Sequence, residues 1–178
     1  MRVISETNRR MHQDHLHTLK LRLSIFEKSY PETKGKGIGE LGRIKLPYGE
    51  RERLRCLLSD IYAHELFFSS LSDKPKRCEK VRGKYGSEAS FLYSVLSDSI
   101  DVDGGFILIY IKRDGGIGVY AGRDLVSVFS KYDVRLAVDL CEHAYFYDYG
   151  FDKKSYLKAA LSSLDLSKIE NTVEKKEI

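Results

Sequence analysis

Two segments set imidazoles beside carboxylates at spacings that suit metal chemistry. In Asp139-Leu-Cys-Glu-His143 a carboxylate and an imidazole lie four residues apart. A helix over this stretch would present both on one face, within reach of one ion. Such a pair suits Fe, Mn or Zn, but two ligands are not a site, and a capping aspartate near an unrelated core histidine is the ordinary reading. The second segment is Ile61-Tyr-Ala-His64-Glu-Leu-Phe-Phe-Ser-Ser-Leu71. His64 sits among Phe67, Phe68 and Leu71, where a core histidine would equally sit.

Other signals are weaker. Gly37-Ile-Gly39-Glu-Leu-Gly42 matches the glycine pattern of dinucleotide sites, but that pattern needs a strand before it and a helix opening at the glycines. Here a helical stretch precedes it and Pro47 follows closely, so a flexible loop is expected. The run from Lys74 to Lys84 is basic and could hold phosphate. Glu79 interrupts it and no aromatic interleaves the charges, so a solvated loop is expected and nucleic acid is not the expected partner. Charge is uneven: residues 1–89 carry 19 Lys and Arg against 12 Asp and Glu, residues 90–178 carry 11 against 14. The basic half would steer small anions.

At 178 residues, 42% apolar and 31% charged, the chain is in the globular range. Its longest apolar run, Phe106–Ile111, fits a buried strand and falls far short of a membrane span. Cys56, Cys78 and Cys141 are odd in number and lack metal-finger spacing, which suits a reducing compartment. With no signal-peptide pattern at Met1–Ser5, the expected location is the cytoplasm.

The elements that must position these residues follow from periodicity. Met11, His15, Leu19, Leu23 and Phe26 predict a helix from Asn8 to about Ser29, ended by Tyr30-Pro31. A second helix is predicted over about Glu50–Leu71 and a third over about Cys78–Ser97. The period then changes. Gly104–Lys112 and Ile117–Ala121 read as two strands joined by an Asp-Gly turn, and Leu125–Phe129 as a further strand. Helices are predicted over about Ala137–Tyr149 and Lys153–Leu164, with a frayed charged tail over 167–178. This gives a helical first half, 1–99, and an α+β second half, 100–178.

Both histidine segments resemble the iron/manganese superoxide dismutases. In that family a ligand histidine on a helix is followed by a phenylalanine-rich stretch, as in His64–Leu71. The signature DxWEHAYY stands here as Asp139-Leu-Cys-Glu-His-Ala-Tyr-Phe146, and the likeness continues through Tyr147–Tyr149 to Tyr156–Ala159. The resemblance spans about residues 8–165. It implies an α+β fold, with a long N-terminal helical hairpin and a C-terminal α/β domain carrying a small three-stranded antiparallel sheet. It also implies one Fe or Mn ion per chain between the halves, a homodimer, and superoxide as substrate.

Carried over residue by residue, His64, Asp139 and His143 match three of four protein ligands. Met11-His-Gln-Asp-His15-Leu-His-Thr-Leu19 aligns with the family's HHxxHHxxY. That register puts Met11 at the fourth ligand and Leu19 at the gating tyrosine, with His12 and His15 as alternative fourth ligands. Cys141 replaces the signature Trp, and Trp is absent from the chain. The outer-sphere glutamine is replaced at its two possible origins by Asp60 and Arg123, expected to form a buried ion pair. Glu142, Tyr145 and His15 are expected to bridge the dimer. The reading is therefore a metal-binding member with reduced superoxide dismutation; the alternative is a non-catalytic protein using the fold as an interaction module, with an Fe(II) oxygenase-like activity last.

Overall fold

Ser5 starts the first helix, its hydroxyl accepting the Asn8 N–H at 3.1 Å, and α1 runs Glu6–Ser29. The computed structural model describes residues 3–170. Pro31 stops α1, and the chain crosses to α2 (Tyr48–Ser70) through two short 3-10 turns, Pro31–Thr33 and Leu41–Arg43. This connection is not the flexible loop expected. Ile38, Leu41 and Leu46 are buried against Phe26, Leu54 and Leu58, closing a small core over the ends of the two long helices. No strand precedes the glycines, so the dinucleotide pattern has no structural support here.

The predicted third helix is two: α3 (Glu79–Tyr85) and α4 (Glu88–Ser99). Gly86 breaks it at φ +78°, and the Ser87 hydroxyl caps α4 by accepting the Ser90 N–H. Strands β1 (Phe106–Ile111) and β2 (Ile117–Gly122) pair antiparallel through the expected turn, in which Lys112 N–H donates to the Gly116 carbonyl.

Two expectations fail next. Leu125–Phe129 is not a strand but part of α5 (Leu125–Lys131), because Asp124 caps it by accepting the Ser127 N–H. Residues 137–139 are not helical; they end β3 (Asp133–Asp139), which pairs antiparallel with β1 to give the sheet order β2-β1-β3. The following helix, α6, covers only Glu142–Tyr149, and α7 covers Lys153–Ser162. The expected frayed tail is ordered at its start, where a 3-10 turn over Leu166–Ile169 buries Leu166 and Ile169. Residues 171–178 lie outside the described residues.

The main core joins the layers. Phe67 of α2, Val81 of α3, Phe91 and Val95 of α4, the inner faces of β1 and β3, and Tyr156 to Leu161 of α7 pack as one apolar cluster. The sheet is thereby pressed against α2, and the C-terminal end of β3 meets the N-terminal half of α1 and the C-terminal half of α2.

Candidate metal centre

Four side chains from four elements converge at that meeting point. His12 comes from α1, His64 from α2, Asp139 from the last position of β3, and His143 from the first turn of α6. One ligand atom from each lies within 4.8 Å of the others. Asp139 Oδ2 is 3.1 Å from His12 Nε2, 3.6 Å from His64 Nε2 and 3.1 Å from His143 Nε2. His12, His64 and Asp139 are buried, whereas the His143 side chain is 40% exposed.

Local structure holds each group in place. His64 Nδ1 lies 2.6 Å from the Asp60 carbonyl, so Nδ1 carries the proton and Nε2 faces the cluster bare. Asp139 Oδ1 accepts the Cys141 N–H at 2.7 Å, leaving Oδ2 for the imidazoles. The Asp139 carbonyl accepts the Tyr156 hydroxyl at 2.8 Å, and Leu140 N–H donates to the Gly105 carbonyl. Phe67 and Phe68 wall the His12 ring, and Phe106 packs edge-on to His64.

Electrostatics follow from burial. Burial pushes the His64 imidazole down to about 4 despite the Asp139 carboxylate, so His64 is neutral at pH 7. Burial alone would raise Asp139, but the imidazoles of His12 and His143 hold it well below the usual carboxylate range. His143 goes the other way: burial lowers it, and Asp139 beside it raises it to a net upward shift.

The decisive feature is what these atoms do not do. His12 Nε2, His64 Nε2 and Asp139 Oδ2 are buried and close together, yet none has a hydrogen-bond partner. Buried polar atoms without a hydrogen-bond partner are costly. A cation among them would remove that cost. The spacings fit the edges of a coordination shell with bonds of about 2.0–2.2 Å to imidazole nitrogen and carboxylate oxygen. Three imidazoles and a carboxylate suit a borderline or hard divalent ion.

A family model described as "Iron/manganese superoxide dismutases, C-terminal domain" matches residues 73–172. The chain belongs to the iron/manganese superoxide dismutase family. A search of curated proteins finds no match. The family match takes in Asp139 and His143, while His12 and His64 come from the helices before it.

The other residues singled out in this superoxide dismutase relative fall as follows. Met11 is 55% exposed and turned away, so the register expected for α1 is off by one and His12 faces inward instead. The buried positions of α1 are Asn8, His12, Leu19 and Phe26, at spacings of four, seven and seven; that pattern was the available signal. Leu19 is buried. His15 stands on the exposed rim, its ring centroid 5.0 Å from that of His64 and 4.8 Å from that of His143, outside the four converging ligands.

The expected Asp60–Arg123 pair does not form. Arg123 is exposed and its Nε donates to the Asp103 carbonyl, while burial raises the Asp60 carboxyl, with Asp139 adding to the effect. Cys141 is half-buried; Gly105 N–H donates to its Sγ at 3.3 Å, and burial, then Asp139, pushes its thiol up to about 12. Asp139 and His143 share no helix; a strand end and a helix start bring them together. Glu142 is exposed next to His143. Tyr145 is not at the surface expected of a dimer bridge: it is buried and stacks on Tyr156 at 5.1 Å. Sequence reasoning missed Tyr156 and Asn8 as supports of the cluster. Among the described residues no helix is long and apolar enough to cross a membrane.

Proposed function

We propose that the chain binds one Fe or Mn ion through His12, His64, Asp139 and His143 and disproportionates superoxide. The observation that carries this reading is the set of orphaned ligand atoms, Nε2 of His12 and His64 and Oδ2 of Asp139, converging in a family built around such an ion. When bound, the ion supplies a one-electron couple that one superoxide reduces and the next reoxidises. Two superoxide ions and two protons then give dioxygen and hydrogen peroxide.

The residues of the chain supply the rest. The Asp139 carboxylate offsets part of the ion's charge, and the Asp60 carbonyl fixes the His64 tautomer. Phe67, Phe68 and Phe106 keep water from the buried side. Access and protons come from the side where His143 and His15 are exposed. The basic N-terminal half draws the anion. A symmetric dimer would set the exposed Glu142 carboxylate against the partner's open side, and sedimentation at micromolar concentration reads it directly. Three free thiols suit a reducing, cytoplasmic setting.

The test is metal analysis after reconstitution with Fe(II) or Mn(II), paired with metal-normalised superoxide consumption. Stoichiometric ion and measurable turnover, both lost in Asp139→Ala, are expected. A stable, metal-free wild type without turnover overturns the reading and leaves the interaction module.

A further inference from the structure

Resting on the metal-binding reading above, we propose that Asn8, clasped to Asp148, is a positioning residue that sets the distance between the His12 and His143 ligands. Asn8 is fully buried and lies one helical turn before His12 on the same face of α1. Its Nδ2 donates at 2.9 Å to the carbonyl of Ala144, the residue after His143, and at 3.1 Å to Asp148 Oδ2, one turn further along α6. The same carboxylate oxygen accepts the Ser5 N–H at 2.7 Å, at the cap of α1. One side chain amide therefore spans the gap between the two helices, and the ligand histidine of each helix is its near neighbour.

Packing stability alone does not account for an asparagine here. Its Oδ1 is buried without a partner, so the site carries a desolvation cost that a leucine of similar volume would avoid. What a leucine would not supply is direction. Two N–H donors in a fixed plane, aimed at two acceptors on α6, hold the helices at one separation and one rotation. His12 and His143 both lie 3.1 Å from Asp139 Oδ2, so a slide of α1 along α6 by a fraction of an ångström changes the ligand polyhedron directly.

The experiment uses the full chain with Co(II) as a spectroscopic probe, and imidazole NMR of the metal-free protein. Asn8→Leu is expected to weaken Co(II) binding at least about tenfold, the usual effect of losing a support behind a ligand, and to change the Co(II) absorption bands. It should also shift the His12 and His143 ring resonances without metal. Asp148→Ala should do the same to a lesser degree and carries the test if Asn8→Leu does not fold. Asp148→Asn, which keeps an acceptor oxygen, should stay within about threefold of wild type. Tyr149→Phe is the structural control: it removes a neighbouring bond from α6 to the Val3 carbonyl that bears on neither histidine, and should lower stability while leaving the bands unchanged.

Unchanged affinity, bands and ring resonances in Asn8→Leu overturn the proposal. So does a disturbance in Tyr149→Phe equal to that in Asn8→Leu. If wild type takes up no Co(II), the metal reading fails, and the ring resonances still decide whether Asn8 sets the imidazole geometry.

Discussion

Asp139 carries more of the centre than any other residue, because two hydrogen bonds fix it and its remaining oxygen faces the cluster. Oδ1 takes the Cys141 amide, the carbonyl takes the Tyr156 hydroxyl, and Oδ2 is left facing three imidazoles. Tyr156→Phe removes a buried hydrogen bond and should cost about 1–2 kcal/mol in thermal or urea unfolding, with metal stoichiometry retained. Protonation of His64 has a defined sign. Its native value is about 4 against about 6.5 when free, so the unfolded chain takes up the proton first as pH falls. The stability tied to neutral His64 is complete above about pH 6.5 and lost on descent towards 4, on the order of 3 kcal/mol. His143 opposes this, since its raised value adds stability below the free value that is lost as pH rises. Asp139, with its value held low, loses its contribution only below about pH 4, in the same direction as His64. Chelator-treated protein should therefore melt at progressively lower temperature from pH 7 to 4.5. A flat profile would mean that His64 is open to water.

Among elements, the turn from Gly104 to Gly105 sets the strand end that bears Asp139. Gly105 has φ +75°, and a Cβ there would lie 2.1 Å from the Gly122 carbonyl oxygen. Gly105→Ala should cost at least about 3 kcal/mol and reduce soluble yield. Gly86→Ala, at φ +78° but facing open space, should cost only about 1–2 kcal/mol. Unfolding midpoints of the two variants compare a clash with simple backbone strain. The sequence made the long helices and the β1–β2 hairpin legible, since their periods run uninterrupted and the Asp-Gly turn is distinctive. It misled at β3 and α5 for a physical reason. A strand buried along its C-terminal half, such as Leu136-Ala-Val-Asp139, has no alternation to distinguish it from a buried helix. Val126-Ser-Val-Phe129 has strand-like residues that the Asp124 cap overrides. The centre was legible at His64, Asp139 and His143. His12 was misplaced because Met11 and Leu23 blur the stripe of α1, whose outer face also exposes Leu21 and Ile25.

For the whole molecule, the proposed ligands join segments that lie far apart in the chain, so a metal held by them would bind the folded state and not the unfolded one. Apparent stability should rise with metal concentration, by about 2.7 kcal/mol at a hundredfold excess over the dissociation constant. Calorimetry with and without chelator reads this, and Asp139→Ala should abolish the difference. The position of Asp139 at the end of β3 also fixes an order of events in time. The strand must pair with β1, and its end is tied to Tyr156 of α7, before the carboxylate can stand opposite His12 and His64. A chain emerging from the ribosome displays His12 and His64 early and would close around an ion only once β3, α6 and α7 have been made. On this order the ion would join a chain already past its folding barrier. It should leave the refolding rate unchanged and act only as a brake on unfolding, so that a cell short of the ion would accumulate folded, empty chains rather than failed ones.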